Sequence, residues 1–477
     1  MQYSDPGIHP YLPSLQPPWV KALGNPLHTY RDNVPHGSFA TLSEFNWYDG
    51  KKPRFRHPYA LYSAGHAELD LANAPIVDRM LFERDRDTTF LLADSGGFQI
   101  VKGVWKLDEM SSILPSVVKW QEAIADLAVV LEVPVWTKIN GRQIEFEHAL
   151  ALSNSNLRDY ARCSTGKVKF LNTLHGSDFG EACRWFETTK WFNEEGFAVG
   201  WCFCSAMSHN LHLALKVLLY MLDQGYQPEY LHILGQGSPQ VAIVCDIMRR
   251  TVSRAYGSKN SKRKPLVVTS DSSSEFKSIG QFGTVYERAV EQKGAAIASA
   301  PFQIKASPFE SADRSAFPAA RTYPDVEGPI LGKYDKGVVF GDILAPVGHN
   351  SLYNLDEVSL AILTAHNVWV KLDAIERLRK LESSLRRIAY AKRKEETYEV
   401  ADILGRLMHS ATAKGQISDL GDNLVATTVG LWSLFRYFDD EREVGNDTFD
   451  QRVAKLDMFE AEARSLYGKN TETLQKA

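Results

Sequence analysis

The chain has 477 residues, with 54 Lys and Arg against 58 Asp and Glu and a formal net charge of −4. Hydrophobic residues make up 44% and charged residues 23%, ordinary proportions that exclude a wholly disordered or collagen-like chain. No apolar run approaches the roughly 20 residues a membrane helix needs, and the nearest, His212 to Leu222, is interrupted by Lys216.

Residues 1–58 are rich in Pro, Gly and aromatics, as in Pro10-Tyr-Leu-Pro-Ser and Gln16-Pro-Pro-Trp. Proline lacks the amide donor a helix needs, so this stretch reads as an ordered, irregular lead-in. Its start, Met1-Gln-Tyr-Ser-Asp-Pro, has no basic stretch before an apolar core, so secretion is not expected. From residue 59 a rhythm begins. Strand-like apolar runs occur at Tyr59–Ser63, Thr89–Ala93, Leu127–Leu131, Val168–Leu174, Phe197–Gly200, Tyr230–Leu234 and Leu266–Thr269, most of them separated by segments of helical spacing. Continuously apolar strands alternating with helices imply a parallel sheet covered on both faces. With an eighth unit at Gly337–Phe340, the pattern predicts an α/β fold, a (β/α)8 barrel over residues 59–380. Ala300–Pro329 reads as a long inserted loop. Beyond Leu355 the chain turns Leu-, Arg-, Lys- and Glu-rich, which predicts terminal helices, with residues 381–477 as a helical extension.

The five cysteines, at 163, 183, 202, 204 and 245, are odd in number and scattered. A disulfide scaffold is therefore not expected, and a reducing cytoplasm fits.

Barrel enzymes place reactive groups just past the C-terminal ends of the strands. Those positions hold Asp94, Glu132, His175, Trp201 and Asp271. In Asp94-Ser95-Gly96-Gly97-Phe98-Gln99 the paired glycines let the backbone turn sharply and approach a flat ligand. Phe98 can stack on a base, and Gln99 offers it a donor and an acceptor. Asp271 lies among serines that can hold and aim a carboxylate. Each aspartate also suits a plain helix N-cap. Two carboxylates facing one pocket are the equipment for substitution at a sugar C1′, one as nucleophile and one as proton carrier.

The Asp94–Gln99 motif resembles the signature of the tRNA-guanine transglycosylases, which exchange guanine for a 7-deazaguanine in nucleic acid. The likeness continues in order through Asp126-Leu-Ala-Val-Val-Leu-Glu132, Leu174-His-Gly176, Ala198-Val-Gly-Trp-Cys202, Gly235-Gln-Gly-Ser-Pro239 and Ala365-His-Asn-Val-Trp369. It implies Asp271 as nucleophile, Asp94 as proton acceptor and donor, and no cofactor. It further implies a base site of Ser95, Gly96, Gly97, Phe98, Gln99, Glu132, His175, Gly200 and Trp201.

The chain departs from the tRNA enzymes in lacking their Cys-x-Cys-x-x-Cys zinc site, since no cysteine follows Cys245. Cys202 and Cys204 read as buried thiols, so no metal is expected. Glu132, His175 and Trp201 replace the family's Asp, Gln and second Gly. Together these departures resemble the DNA-guanine transglycosylase (DpdA) branch. That branch implies double-stranded DNA and a 7-deazaguanine base, preQ0, as partners, beside other proteins of a DNA-modification system. Alternatives are the same exchange on tRNA, or a non-catalytic nucleic-acid-binding subunit. Phosphate contacts need cationic surface. Arg249–Lys264 carries seven basic residues and no acid, with Arg249, Arg250, Arg254, Lys262, Arg263 and Lys264 as the candidate contacts. Lys51–His57 and Arg377–Lys394 are further basic runs, and a solvated face is the alternative for each.

Overall fold

The computed structural model describes residues 10–24, 41–139, 141–204, 206–257, 266–288, 304–308 and 355–391, with four positions between 451 and 457. Eight parallel strands form its centre: β1 (Tyr11–Pro13), β2 (Tyr59–Ser63), β3 (Phe90–Asp94), β4 (Leu127–Val129), β5 (Lys169–Leu174), β6 (Ala198–Phe203), β7 (Tyr230–Ile233) and β8 (Val267–Ser272). Their lateral order is β1-β8-β7-β6-β5-β4-β3-β2. A parallel bridge between Ser14 and Leu61 joins the two ends of that order, so the sheet is nearly closed into the expected (β/α)8 barrel.

Strand periodicity sorts the side chains. Leu61, Phe90, Leu92, Leu127, Val129, Leu171, Cys202, Cys204 and Tyr230 pack together within the ring. The alternate positions, such as Tyr62, Leu91, Ala93, Ala128 and Val130, join the layer beneath the helices. Those helices include α1 (Pro17–Gly24), α2 (Met110–Ile124), α3 (Phe146–Cys163), α4 (Phe179–Thr189), α5 (Leu211–Asp223), α6 (Pro239–Gly257), α7 (Ser274–Gly280) and α8 (Glu357–Ala391). The run around His212–Leu222 is α5, a buried barrel helix. One stretch of α8, Glu357–Lys380, is long and apolar enough to cross a membrane, but its most apolar 18-residue window is 78% buried inside the protein.

The eighth strand corrects the sequence reading. It comes from the lead-in: β1 pairs with β8 with Leu12 opposite Asp271, while Gly337–Phe340 lies outside the described residues. A three-residue strand bounded by prolines has no periodicity to read. Neighbouring backbone supplies the hydrogen bonds instead, from Ser270 N to Pro10 O and from Ser14 N to Ser272 O, both 2.8 Å. Within the expected inserted loop, Ile304–Pro308 pairs antiparallel with Thr284–Arg288, and its other residues lie outside the description. So does most of the expected C-terminal extension beyond α8.

His57 pins β1 from outside. Its Nε2 lies 3.1 Å from the Tyr11 carbonyl, which can only accept, so that nitrogen carries the proton. Burial lowers the His57 pKa from 6.5 to about 4. The folded protein therefore holds it neutral while the unfolded chain takes up a proton below pH 6.5. Its contribution is complete above pH 6.5 and is lost as the pH falls to about 4, up to about 3 kcal/mol. His57→Gln should flatten that part of the acid limb in urea melts taken across this range. An unchanged slope would refute the role.

Candidate active site

Strand ends bring Asp94 and Asp271 to one mouth of the barrel. Asp94 closes β3, and its Oδ2 accepts hydrogen bonds from Ser63 Oγ at 2.6 Å and the Gly96 amide at 3.2 Å. Ser63 is the paired residue on β2. Burial raises the Asp94 pKa above the usual carboxylate value; Ser63 opposes this, and the Asp271 charge adds to it. A buried carboxyl beside a second carboxylate is suited to carrying a proton.

Asp271 is held differently. Its Oδ1 accepts from the Gly235 amide at 2.6 Å and lies 3.2 Å from His232 Nε2. Both contacts fall on Oδ1, so that oxygen is held from two sides. The other ring nitrogen of His232 lies 2.8 Å from Thr269 Oγ1, which is itself 3.0 Å from Tyr230 OH. His232 and Thr269 are register partners on β7 and β8, so the strands themselves align this chain. The turn carrying the Gly235 amide also requires its glycines. Gly235 has φ +74°, and a Cβ on Gly237 would lie 2.1 Å from Ser272 Cβ. The resemblance located this turn, but sequence reasoning missed His232. Its signal was a polar residue two positions after Tyr230 in a buried strand, on the ring-facing side.

The motif after Asp94 behaves as a tight turn. Gly96 has φ +83°, and a Cβ on Gly97 would come within 2.8 Å of Glu132 Oε1. Phe98 is 55% exposed, with Lys102 Nζ 4.8 Å from its ring centre. Gln99 is buried, and its Nε2 donates to Gly65 O at 3.0 Å, so this amide ties the turn to the loop after β2. Ser95 Oγ donates to Glu132 Oε2 over 3.4 Å. Glu132 is pushed up to about 8, first by burial and then by the Asp94 charge. His175, wholly buried, is lowered to about 3 by burial.

Two expected base contacts lie elsewhere. The strand expected to end at Gly200 continues to Phe203, so Trp201 is in mid-strand rather than at the mouth. Its side chain faces the helices, 5.3 Å from the Phe186 ring and 6.2 Å from that of Tyr226. A Cβ on Gly200 would lie 1.8 Å from the Tyr230 carbonyl oxygen, so strand packing explains that glycine.

Of the basic candidates, Arg249 and Arg250 both bind Asp246, at 3.0 and 3.3 Å. Arg379 of α8 approaches the same carboxylate at 3.7 Å, which joins the two helices. Arg249 and Arg250 thus serve helix packing rather than the expected phosphate contacts. The Arg254 side chain and residues Lys262, Arg263 and Lys264 lie outside the description. In the run Lys51–His57, Arg54 pairs with Glu44 at 3.1 Å.

No family model matches the chain, and no curated protein matches it significantly.

Proposed function

We propose that the protein is a base-exchange transglycosylase that replaces guanine in double-stranded DNA by a 7-deazaguanine, preQ0, through a covalent Asp271–C1′ intermediate. The observation that carries this reading is the pair of mouth carboxylates with unlike settings. Asp271 is oriented by two donors on one oxygen, whereas Asp94 is buried and inclined to keep a proton.

The target nucleotide leaves the base stack at a cost of a few kcal/mol. Asp271 Oδ2 forms a bond to C1′ as the C1′–N9 bond breaks, and Asp94 gives its proton to the departing guanine. The incoming base then returns a proton from N9 to Asp94, and its N9 electron pair takes C1′ from Asp271. Protons and electron pairs balance, and both carboxyls end as they began. In this reading Phe98, exposed in the turn after Asp94, stacks on the base. The cytoplasmic setting and partner proteins of a DNA-modification system belong to this same reading.

The scheme uses Asp94 in its protonated form, so adduct formation should fall as the pH rises through its raised pKa. Asp94→Asn should remove that limb and slow adduct formation on the order of 10²–10⁴-fold, the usual worth of a general acid. Single-turnover rates against pH read both. A variant that kept the wild-type limb would assign the proton to another group. The polymer is decided separately, by offering labelled guanine and preQ0 with duplex DNA or with tRNA. Exchange on tRNA alone would replace the DNA reading with its tRNA counterpart.

A further inference from the structure

Glu132, His175 and Cys204 come from three neighbouring segments, just past the ends of β4, β5 and β6. All three are buried, and one ligand-type atom from each lies within 4.8 Å of the other two. His175 Nε2 is 3.9 Å from Glu132 Oε1, too long for a hydrogen bond. Neither nitrogen of the His175 ring has a hydrogen-bond partner, although the residue is completely buried. An imidazole left so costs about 1–3 kcal/mol, which a buried ring ordinarily avoids. Its orientation is fixed by aromatic rings instead, Trp185 at 4.7 Å and Trp136 at 5.7 Å.

We propose that Glu132, His175 and Cys204 bind a divalent transition-metal ion, zinc by their chemistry, with one coordination position left open. A carboxylate oxygen, an imidazole nitrogen and a thiolate form a mixed O, N, S donor set that suits zinc and not magnesium or calcium. Bonds of about 2.0–2.3 Å around a tetrahedral ion hold its donor atoms roughly 3.3–3.8 Å apart. The observed separations therefore close by small side-chain movements without a change of backbone. On binding, the Cys204 thiol gives its proton to solvent and its sulfur lone pair to the ion, while the imidazole nitrogen donates its own. The ion ends the isolation of His175 and neutralises the charge that burial opposes on Glu132. Three protein ligands leave a fourth position for water or another small donor, the pattern of sites that do more than hold a fold together.

The site sits beside the Asp94 turn, since Glu132 touches the space above Gly97. It stands independently of the proposed base exchange, because its test reads metal and not turnover. The full chain, stripped with chelator and then equilibrated with zinc or cobalt(II) and desalted, is analysed by plasma mass spectrometry and absorption. The expected results are about one equivalent of ion per chain and, with cobalt, a thiolate-to-metal charge-transfer band with the strong visible bands of a four-coordinate ion. Cys204→Ser should erase the charge-transfer band, and His175→Gln should weaken zinc binding at least tenfold. Folded wild-type chain that takes up no zinc and gives no cobalt band overturns the proposal, whatever the variants do. Equal metal content in folded Cys204→Ser and His175→Gln chains would overturn it as well.

Discussion

Replacing Asp271 by asparagine is expected to abolish the covalent DNA adduct and to slow base exchange by at least about 10⁴-fold, the scale on which nucleophile deletions act. The substitution keeps shape and keeps an oxygen for the Gly235 amide and His232, which now hold Oδ1 at 2.6 and 3.2 Å. Folding should consequently change little, within about 1 kcal/mol for an isosteric replacement that retains its hydrogen bonds. What disappears is the anionic oxygen that the proposed mechanism brings to C1′. Labelled duplex trapped on a denaturing gel, together with release of labelled guanine, reads the two halves of the effect. Wild-type exchange in the Asp271→Asn protein would remove Asp271 from the mechanism and with it the covalent route.

The same pair of residues shows how much of this molecule is legible in its sequence. Continuous apolar runs such as Phe90-Leu-Leu-Ala and Val267-Val-Thr-Ser announce buried parallel strands, because both faces must avoid water. Asp94 and Asp271 follow directly, since the ends of such strands are where a barrel exposes side chains. β1 does not follow, because Tyr11-Leu-Pro is too short for a period and is made a strand by its neighbours alone. Trp201 fails for a related reason. Where a buried strand stops depends on what packs over it, so an end placed three residues early at Gly200 turned a helix-facing tryptophan into a mouth residue. The charge runs were the least legible: helical spacing sets Asp246 against Arg249 and Arg250, three and four residues on, but cannot show that Arg379 of another helix meets the same carboxylate.

Tertiary convergence also produced the groups that sequence reasoning missed. Cys204 is an ordinary buried thiol until the barrel places it near Glu132 and His175. His366 and Asn367, read as part of a resemblance, have a physical task in the fold. His366 Nε2 lies 2.8 Å from Tyr286 O, and Asn367 accepts from the Tyr286 amide at 2.8 Å and donates to Glu275 O at 3.2 Å. They dock α8 on the segments that follow Asp271.

Lys371, one turn further along α8, carries the largest stability prediction. Its ammonium lies 2.6 Å from Glu275 Oε1 and donates to Ser274 Oγ at 2.8 Å, and the side chains of Lys371 and Glu275 are 6% and 0% exposed. The other carboxylate oxygen of Glu275 accepts from Tyr11 OH at 2.7 Å. One buried ion pair thus ties α8 to α7 and to β1, the strand that closes the ring. Lys371→Met should cost about 3–5 kcal/mol, because it strands the Glu275 charge in the interior. Most of that cost is the abandoned charge and not the lost attraction, so adding Glu275→Gln should recover a good part of it, although each change alone destabilises. Urea midpoints of the two single variants and the double variant form the cycle that measures this. Strict additivity would show that the pair is not coupled, and a cost under about 1 kcal/mol for Lys371→Met would show that the pair is effectively solvated. The clamp also lies near the turn that carries the Gly235 amide, since a Cβ on Gly237 would be 3.4 Å from Lys371 Nζ. Loosening it frees the turn that aims Asp271, so at temperatures where the Lys371→Met protein remains folded, adduct formation should weaken before the barrel melts.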